Sequence, residues 1–257
     1  MKTGIVQGRL LPPVGGHIQE FPDKWKTEFD LIRQIGLNHV EWIVTKKSFS
    51  TNPIFNDECS SYEINSICAD NLVDSNFIFR EFLDSNLDPI CSAAMKQGVS
   101  FVSIPLLEES DITDKIKRKK FIKLITQYAD KYPSLNFSFE AETHWDNVLE
   151  LISQRDNFWI TYDTGNITSQ KLDHQEYIAN VHSRINNVHI KDRTLSGQTV
   201  EPLTGDTDFE AVFNALIKFE YNGVYTLQTA RGLKGFEIQT IKEHRNIFER
   251  IYNEANS

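Results

Sequence analysis

A chain of 257 residues, of which 40% are hydrophobic and 25% charged, is long enough for one large α/β domain and short for two. Its formal charge of -9 argues against a dedicated binder of duplex nucleic acid or anionic membrane, because such binders need a basic surface. The cysteines Cys59, Cys68 and Cys91 show no C-x-x-C spacing and no secretion signal or membrane span is visible, so we expect a cytoplasmic protein.

Strand-like and helix-like stretches alternate along the whole chain. Short β-branched and aromatic runs predict eight strands, at 3–7, 38–43, 65–68, 99–104, 135–142, 159–163, from 185 onward, and 224–228. Apolar residues at helical spacing predict helices at 23–34, 77–97 with a break near Pro89, 114–131, 145–154, 175–183, 208–219 and 236–253. A Gly/Pro loop at 8–16 follows the first strand, and a long polar loop at 49–57 follows the second.

Eight strands separated by helices in about 250 residues are typical of a (β/α)8 TIM barrel. We therefore predict that residues 1–257 form a single α/β domain with this fold. An open doubly wound sheet is the alternative. The chain carries neither a Gly-x-Gly-x-x-Gly after the first strand nor a phosphate-binding Lys loop, and both absences favour the barrel.

The stretch 185–193 places polar groups where a strand should end. Val188 and Ile190 share one face of the strand, while His189 and Lys191 share the other with Asn187. Charged and metal-type side chains at the end of an otherwise apolar strand indicate that this face looks into a wet or metal-containing space.

Three other strands repeat the arrangement. Each delivers one ligand-type side chain on a single parity near its carboxyl end: Glu140 in the fifth strand, Asp163 in the sixth and Gln228 in the eighth. Because the carboxyl ends of parallel barrel strands meet at one face, we expect these three side chains to converge with His189 on a shared site.

Six short motifs together resemble the xylose isomerase-like TIM-barrel superfamily, and within it the sugar phosphate isomerase/epimerase group. They are Gly-Ile-Val-Gln-Gly-Arg-Leu, Ser-Ile-Pro-Leu-Leu-Glu, Phe-Glu-Ala-Glu, Tyr-Asp-Thr-Gly-Asn, Val-His-Ile-Lys-Asp-Arg and Leu-Gln-Thr-Ala-Arg, which lie at strands one and four to eight in that order. The motif of the seventh strand is the most specific of the six.

The resemblance implies a divalent metal ion held by Glu140, Asp163, His189 and the residue at the end of the eighth strand. That last residue is usually Glu in the superfamily and is Gln228 here; a His that often follows the sixth-strand Asp by three residues is Asn166 here. An amide oxygen can still bind a metal, but it carries neither charge nor proton. Oxygen ligands with one imidazole suit Mn, Mg or Co, and Zn stays open.

The chemistry that the resemblance implies is proton abstraction next to a metal-polarised carbonyl or hydroxyl of a small sugar or sugar phosphate. In the sugar epimerases of this superfamily two Glu residues share the proton work. Glu140 is one candidate base here, and its partner would come from Glu108, Glu142 or Lys191. We therefore place a one-base isomerisation or a dehydration slightly ahead of two-base epimerisation.

Several polar residues near the strand ends are candidate substrate contacts. The cationic side chains could hold a phosphate or carboxylate, or pair with the acids collected there. The predicted substrate-binding residues are Arg9, Glu41, Asn166, Asp192, Arg193 and Arg231, with Lys191 pointing inward among them.

Two other classes stay open. A non-catalytic sugar-binding barrel would have lost activity with the acid at position 228. An AP-endonuclease-like DNA repair enzyme would hold several zinc ions and needs more His ligands, including one where Asn166 stands, and a basic groove; the charge of -9 opposes it. The expected partner is a small polyol or sugar phosphate, with no nucleic acid and no membrane, and a homo-oligomer stays open.

Overall fold

The computed structural model describes residues 1–14, 22–59 and 62–257. Eight parallel strands close into a barrel in the order in which they occur along the chain, and the last of them, Val224–Leu227, pairs with the first, Thr3–Val6. Closure confirms the predicted (β/α)8 barrel over the open doubly wound sheet. The predicted loop at 8–16 lies inside the described ranges only as far as Val14.

The strands are short, as is usual for such barrels. The barrel strands are β1 (Thr3–Val6), β2 (Val40–Ile43), β3 (Ile64–Cys68), β4 (Phe101–Leu106), β5 (Asn136–Ala141), β6 (Phe158–Asp163), β7 (Ile185–Ile190) and β10 (Val224–Leu227). The strands β8 (Asp192–Arg193) and β9 (Thr199–Val200) form a separate antiparallel ribbon that the sequence pattern did not predict.

The helices lie between the strands. They are α1 (Trp25–Ile35), α2 (Arg80–Asn86), α3 (Asp88–Gln97), α4 (Lys115–Lys131), α5 (Trp145–Ile152), α6 (Thr164–Ser169), α7 (His174–Val181), α8 (Phe209–Lys218) and α9 (Glu237–Ala255). The predicted helix at 77–97 is divided into α2 and α3, with Pro89 in the first turn of α3, where a missing amide costs least. The short helix α6 was not predicted.

Contacts divide the chain into two compact units, Met1–His39 with Tyr162–Ser257, and Val40–Thr161. The second unit has an aromatic core. Phe121 packs against Phe77 and Phe139 at ring-centroid distances of 5.3 and 6.0 Å, and Phe158 packs against Phe139 at 5.1 Å. On the opposite parity the hydroxyls of Ser138 and Thr161 are hydrogen-bonded at 2.7 Å, as the alternation in β5 and β6 predicts.

A polar layer fills the interior of the first unit. The His39 imidazole contacts the Thr226 hydroxyl at 3.1 Å, and that hydroxyl donates to the Asn187 side chain at 2.9 Å. All three residues are buried. Gly4 makes room for the ring, because a Cβ at residue 4 would overlap the His39 imidazole.

The basic side chains in the first half of α4 are mostly exposed, but Arg118 is an exception. Its side chain is buried and donates to the Glu150 carboxylate at 2.7 Å and to the Ile112 carbonyl at 2.8 Å. Arg118 thus joins α4 to α5. Within the described ranges, no helix has both the length and the apolar content that a membrane crossing requires.

Candidate metal centre at the strand ends

Three of the four predicted metal ligands come together. Glu140 in β5, Asp163 at the end of β6 and His189 in β7 are all buried, and each offers one ligand atom within 4.8 Å of the other two. The three residues are separated by 23 and 26 positions along the chain, and both strand parity and the family resemblance indicated that they would meet. Two carboxylates and an imidazole are a donor set that divalent metals accept.

Asp163 carries both structural and electrostatic roles. Its Oδ1 accepts a hydrogen bond from the Asn166 amide at 2.8 Å and so caps α6, while its Oδ2 lies 2.8 Å from Lys191 Nζ and 3.8 Å from His189 Nδ1. Burial raises the pKa of Asp163, but the charges of Lys191, His189 and Arg193 outweigh burial and hold the pKa of this carboxyl below its ordinary value.

Lys191 is held by the residues that follow Asp163. The Thr164 hydroxyl accepts from the Lys191 amide at 3.0 Å and donates to the Lys191 carbonyl at 2.7 Å. Gly165 leaves room for the side chain, since a Cβ there would lie 3.2 Å from Lys191 Cδ and 2.9 Å from Arg193 Cγ. Neither Thr164 nor Gly165 was singled out from the sequence, although both belong to the Tyr-Asp-Thr-Gly-Asn motif.

Gln228, the fourth predicted ligand, follows directly on β10. The register of β10 against β7 pairs Thr226 with His189, and the Gln228 amide donates to the Ile190 carbonyl at 3.0 Å. The side-chain Oε1 of Gln228 is buried without a hydrogen-bond partner among the described residues. A buried carbonyl oxygen without a partner in the described ranges fits the role of a metal ligand.

Arg9 and Arg231 each bind a backbone carbonyl on the loop that carries the other. Arg9 donates to the Thr229 carbonyl at 2.7 Å, and Arg231 donates to the Gly8 carbonyl at 2.8 Å. Burial, followed by the charge of Arg231, lowers the pKa of Arg9 to about 10. The two arginines therefore join the loop after β1 to the loop after β10, and their predicted substrate contacts stay predictions.

Glu28 is an acidic residue that interacts electrostatically with both arginines, and the sequence patterns did not indicate it. Its carboxylate accepts from the Gly8 amide at 2.6 Å and from the Leu10 amide at 3.0 Å. Burial raises the pKa of Glu28 to about 7, against the lowering effects of the two amides and of Arg231 and Arg9. The available signal was an acid on the apolar stripe of α1, one residue before the buried Phe29.

Asp192, which follows β7, holds the segment that precedes α8. Asp192 is buried, and its carboxylate accepts from the Gly205 amide at 3.0 Å and the Thr207 amide at 3.3 Å. Arg193 is half-buried and packs its stem beside Gly165. Asp192 thus fixes the segment before α8, and its role as a substrate ligand stays a prediction.

The remaining predicted residues differ in exposure. Glu41 is buried in β2 and accepts from the Ser66 hydroxyl at 2.9 Å, whereas Glu108 is exposed with φ 49° in a 3-10 turn after β4. Asn166 is buried in α6. Glu142 lies just past β5 and is half-buried. Their predicted substrate or proton roles stay predictions.

The chain is a closed (β/α)8 barrel in which a Glu, an Asp and a His near the ends of three consecutive strands could hold a metal ion. Residues 118–250 match the family model described as xylose isomerase-like TIM barrel. The chain belongs to this family, which confirms the resemblance carried by the strand-end motifs.

Solved structures of similar fold cover nearly the whole chain. An L-ribulose 3-epimerase has a TM-score of 0.72 at 15% identity, covering 99% of this chain and 95% of that one. A D-tagatose 3-epimerase-like protein has a TM-score of 0.72 at 16% identity and covers 100% of both chains. The IOLI protein with a binding zinc atom has a TM-score of 0.74 at 16% identity, covering 98% and 99%. A search of curated proteins gave no match.

Proposed function

We propose that this chain is a divalent-metal-dependent isomerase or epimerase of a small sugar or sugar phosphate. The observation that carries the proposal is the buried cluster of Glu140, Asp163 and His189 within a closed barrel of the xylose isomerase-like family. The structural neighbours named as an L-ribulose 3-epimerase and a D-tagatose 3-epimerase-like protein support the reaction class, and the zinc atom of the IOLI structure supports a bound metal.

The metal would be held by Glu140, Asp163, His189 and the Gln228 carbonyl oxygen. Two ionised carboxylates and two neutral ligands balance the charge of a divalent ion, whereas a third carboxylate would leave one negative charge. When bound, the ion supplies polarisation of a carbonyl or hydroxyl pair on the substrate. Mn, Mg, Co and Zn all accept such a ligand set.

Among the residues of the proposed site, Glu140 is the one that we expect to act as a base. In this proposal the carboxylate of Glu140 takes the proton from the carbon next to the substrate carbonyl. Lys191, as an ammonium on Asp163, has no lone pair and serves as a hydrogen-bond donor to a substrate oxygen. Gln228 cannot carry a proton at all.

This assignment of roles favours a one-base isomerisation or a dehydration over two-base epimerisation. A two-base epimerisation needs a second carboxylate on the opposite face of the substrate, and the exposed Glu108 is the weaker candidate beside the half-buried Glu142. The test of two-base chemistry is the pair of single variants Glu108→Gln and Glu142→Gln, each assayed for turnover.

The proposal is tested by two measurements on the purified protein. Elemental analysis counts bound metal, and NMR in D2O follows exchange of carbon-bound hydrogen in a panel of free and phosphorylated ketoses. We expect one exchangeable divalent ion per chain and exchange at one carbon of one substrate. Glu140→Gln should abolish the exchange, and Glu176→Gln on the exposed face of α7 should not change it.

The same measurements separate the alternatives. Sugar binding by thermal shift without any metal or hydrogen exchange would establish the non-catalytic sugar-binding barrel. Several tightly held zinc ions together with cleavage of abasic DNA would establish the DNA repair enzyme. Either result would overturn the isomerase proposal.

A further inference from the structure

Three consecutive residues are all directed at Lys191. Asp163 receives its ammonium at 2.8 Å, Thr164 binds both its backbone amide and its carbonyl, and Gly165 lacks the Cβ that would crowd its stem. The Lys191 residue is 7% exposed. Lys191 is thus fixed at its backbone, along its aliphatic chain and at its ammonium group, so the fold determines where this cation lies.

That position places a cation on an oxygen that the proposed metal site needs. Asp163 Oδ1 caps α6 through the Asn166 amide, so the carboxylate cannot turn without losing this bond. Oδ2 is the oxygen that lies 3.8 Å from His189 Nδ1, and it already contacts Lys191 Nζ. A divalent ion shared by Asp163 and His189 would therefore meet the ammonium at the same oxygen, where like charges repel.

We propose that the Lys191 ammonium and a divalent metal ion are alternative partners of Asp163 Oδ2, so that metal binding releases Lys191 toward the substrate. This inference rests on the proposed metal site. Without metal, the ammonium offsets one of the two buried carboxylates of Glu140 and Asp163. With metal, those carboxylates are balanced by the ion, and Lys191 is left to bind an oxygen atom of the substrate.

Competition is measured as metal affinity. Isothermal titration with Mn²⁺ should show that Lys191→Met, which keeps the stem and removes the charge, binds the ion about tenfold more tightly than wild type. Lys191→Arg, which keeps the charge, should bind no more tightly than wild type. Lys120→Met removes a charge from the exposed face of α4 and should leave the affinity unchanged.

The outcomes separate this inference from the proposed function. Equal or weaker Mn²⁺ binding by Lys191→Met, with binding by wild type intact, overturns the inference and leaves the isomerase proposal standing. No Mn²⁺ binding by wild type or by any variant overturns both. Binding by Lys191→Met alone supports the inference.

A measurement on the wild-type chain covers the case in which Lys191→Met fails to fold because Asp163 loses its partner. Reductive methylation followed by peptide mass spectrometry reports how accessible the Lys191 amine is. We expect Mn²⁺ to increase labelling of Lys191 several-fold while labelling of Lys120 stays constant. The Mn²⁺ concentration should saturate the protein, as shown by a separate binding measurement. If labelling of Lys191 is then unchanged or reduced, the metal does not displace Lys191 from Asp163.

Discussion

The Glu28 carboxylate accepts a hydrogen bond from the Gly8 amide at 2.6 Å, which ties α1 to the loop after β1. Burial raises the pKa of Glu28 from 4.5 to about 7, so the folded state retains its proton after the unfolded state has lost it. The stability contributed by this raised pKa is fully present below pH 4.5 and is lost as the pH rises to about 7. Relative to Glu28→Gln, the wild-type free energy of unfolding should fall by about 3 kcal/mol across that window.

Urea denaturation of both proteins at several pH values measures this difference. Glu176→Gln, on an exposed face of α7, should give a curve parallel to wild type. Parallel curves for wild type and Glu28→Gln would show that Glu28 titrates normally.

Gln228→Glu should tighten metal binding. The substitution adds a third carboxylate at the end of β10, beside the strand that carries His189, and a negative charge attracts a divalent ion more strongly than an amide dipole does. We expect the dissociation constant for Mn²⁺ to fall by about tenfold or more without an increase in turnover. Gln175→Glu in the exposed first turn of α7 is the matched control, and loss of metal in Gln228→Glu would refute the charge argument.

His189→Ala should remove the metal while the fold survives. His189 is fully buried and supplies the one imidazole of the cluster. We expect loss of stoichiometric metal and a fall in activity of several orders of magnitude, with an unchanged circular dichroism spectrum. Full metal occupancy in the variant would exclude His189 as a ligand.

Gly4→Ala should destabilise the barrel because the added methyl group would overlap one side chain, that of His39. The added Cβ overlaps the His39 imidazole, and forced repacking of a buried site costs about 1 to 3 kcal/mol or more. Removing the imidazole relieves the overlap, so adding Gly4→Ala to a His39→Ala background should cost much less than adding it to wild type. Urea denaturation of the four proteins closes this double-mutant cycle, and purely additive losses would contradict the assigned clash.

Strand parity carried much of the site prediction. The alternation in β5, β6 and β7 predicts that Glu140, Asp163 and His189 lie on one shared face, because the side chains of a strand repeat every two residues regardless of its neighbours. The same local periodicity, read over eight strands and their helices, also predicted the barrel that the strand order confirms.

Local patterns did not reveal the pairs that connect distant segments. Lys191 and Asp163 are 28 residues apart, and Glu28 accepts from the Gly8 amide 20 residues earlier in the chain. The ribbon of β8 and β9 likewise depends on a two-residue pairing too short to leave a pattern.

The sequence by itself determined which side chains face inward and near which strand end they lie, since both follow from the two-residue repeat and the order of elements. Only the tertiary structure decided which cation contacts Asp163 and that Glu28 is buried against two backbone amides. It also showed that the buried Gln228 carbonyl oxygen has no hydrogen-bond partner in the part of the chain that the structure describes. Those facts depend on distances and burial between segments far apart in the chain, which the closing of the barrel creates.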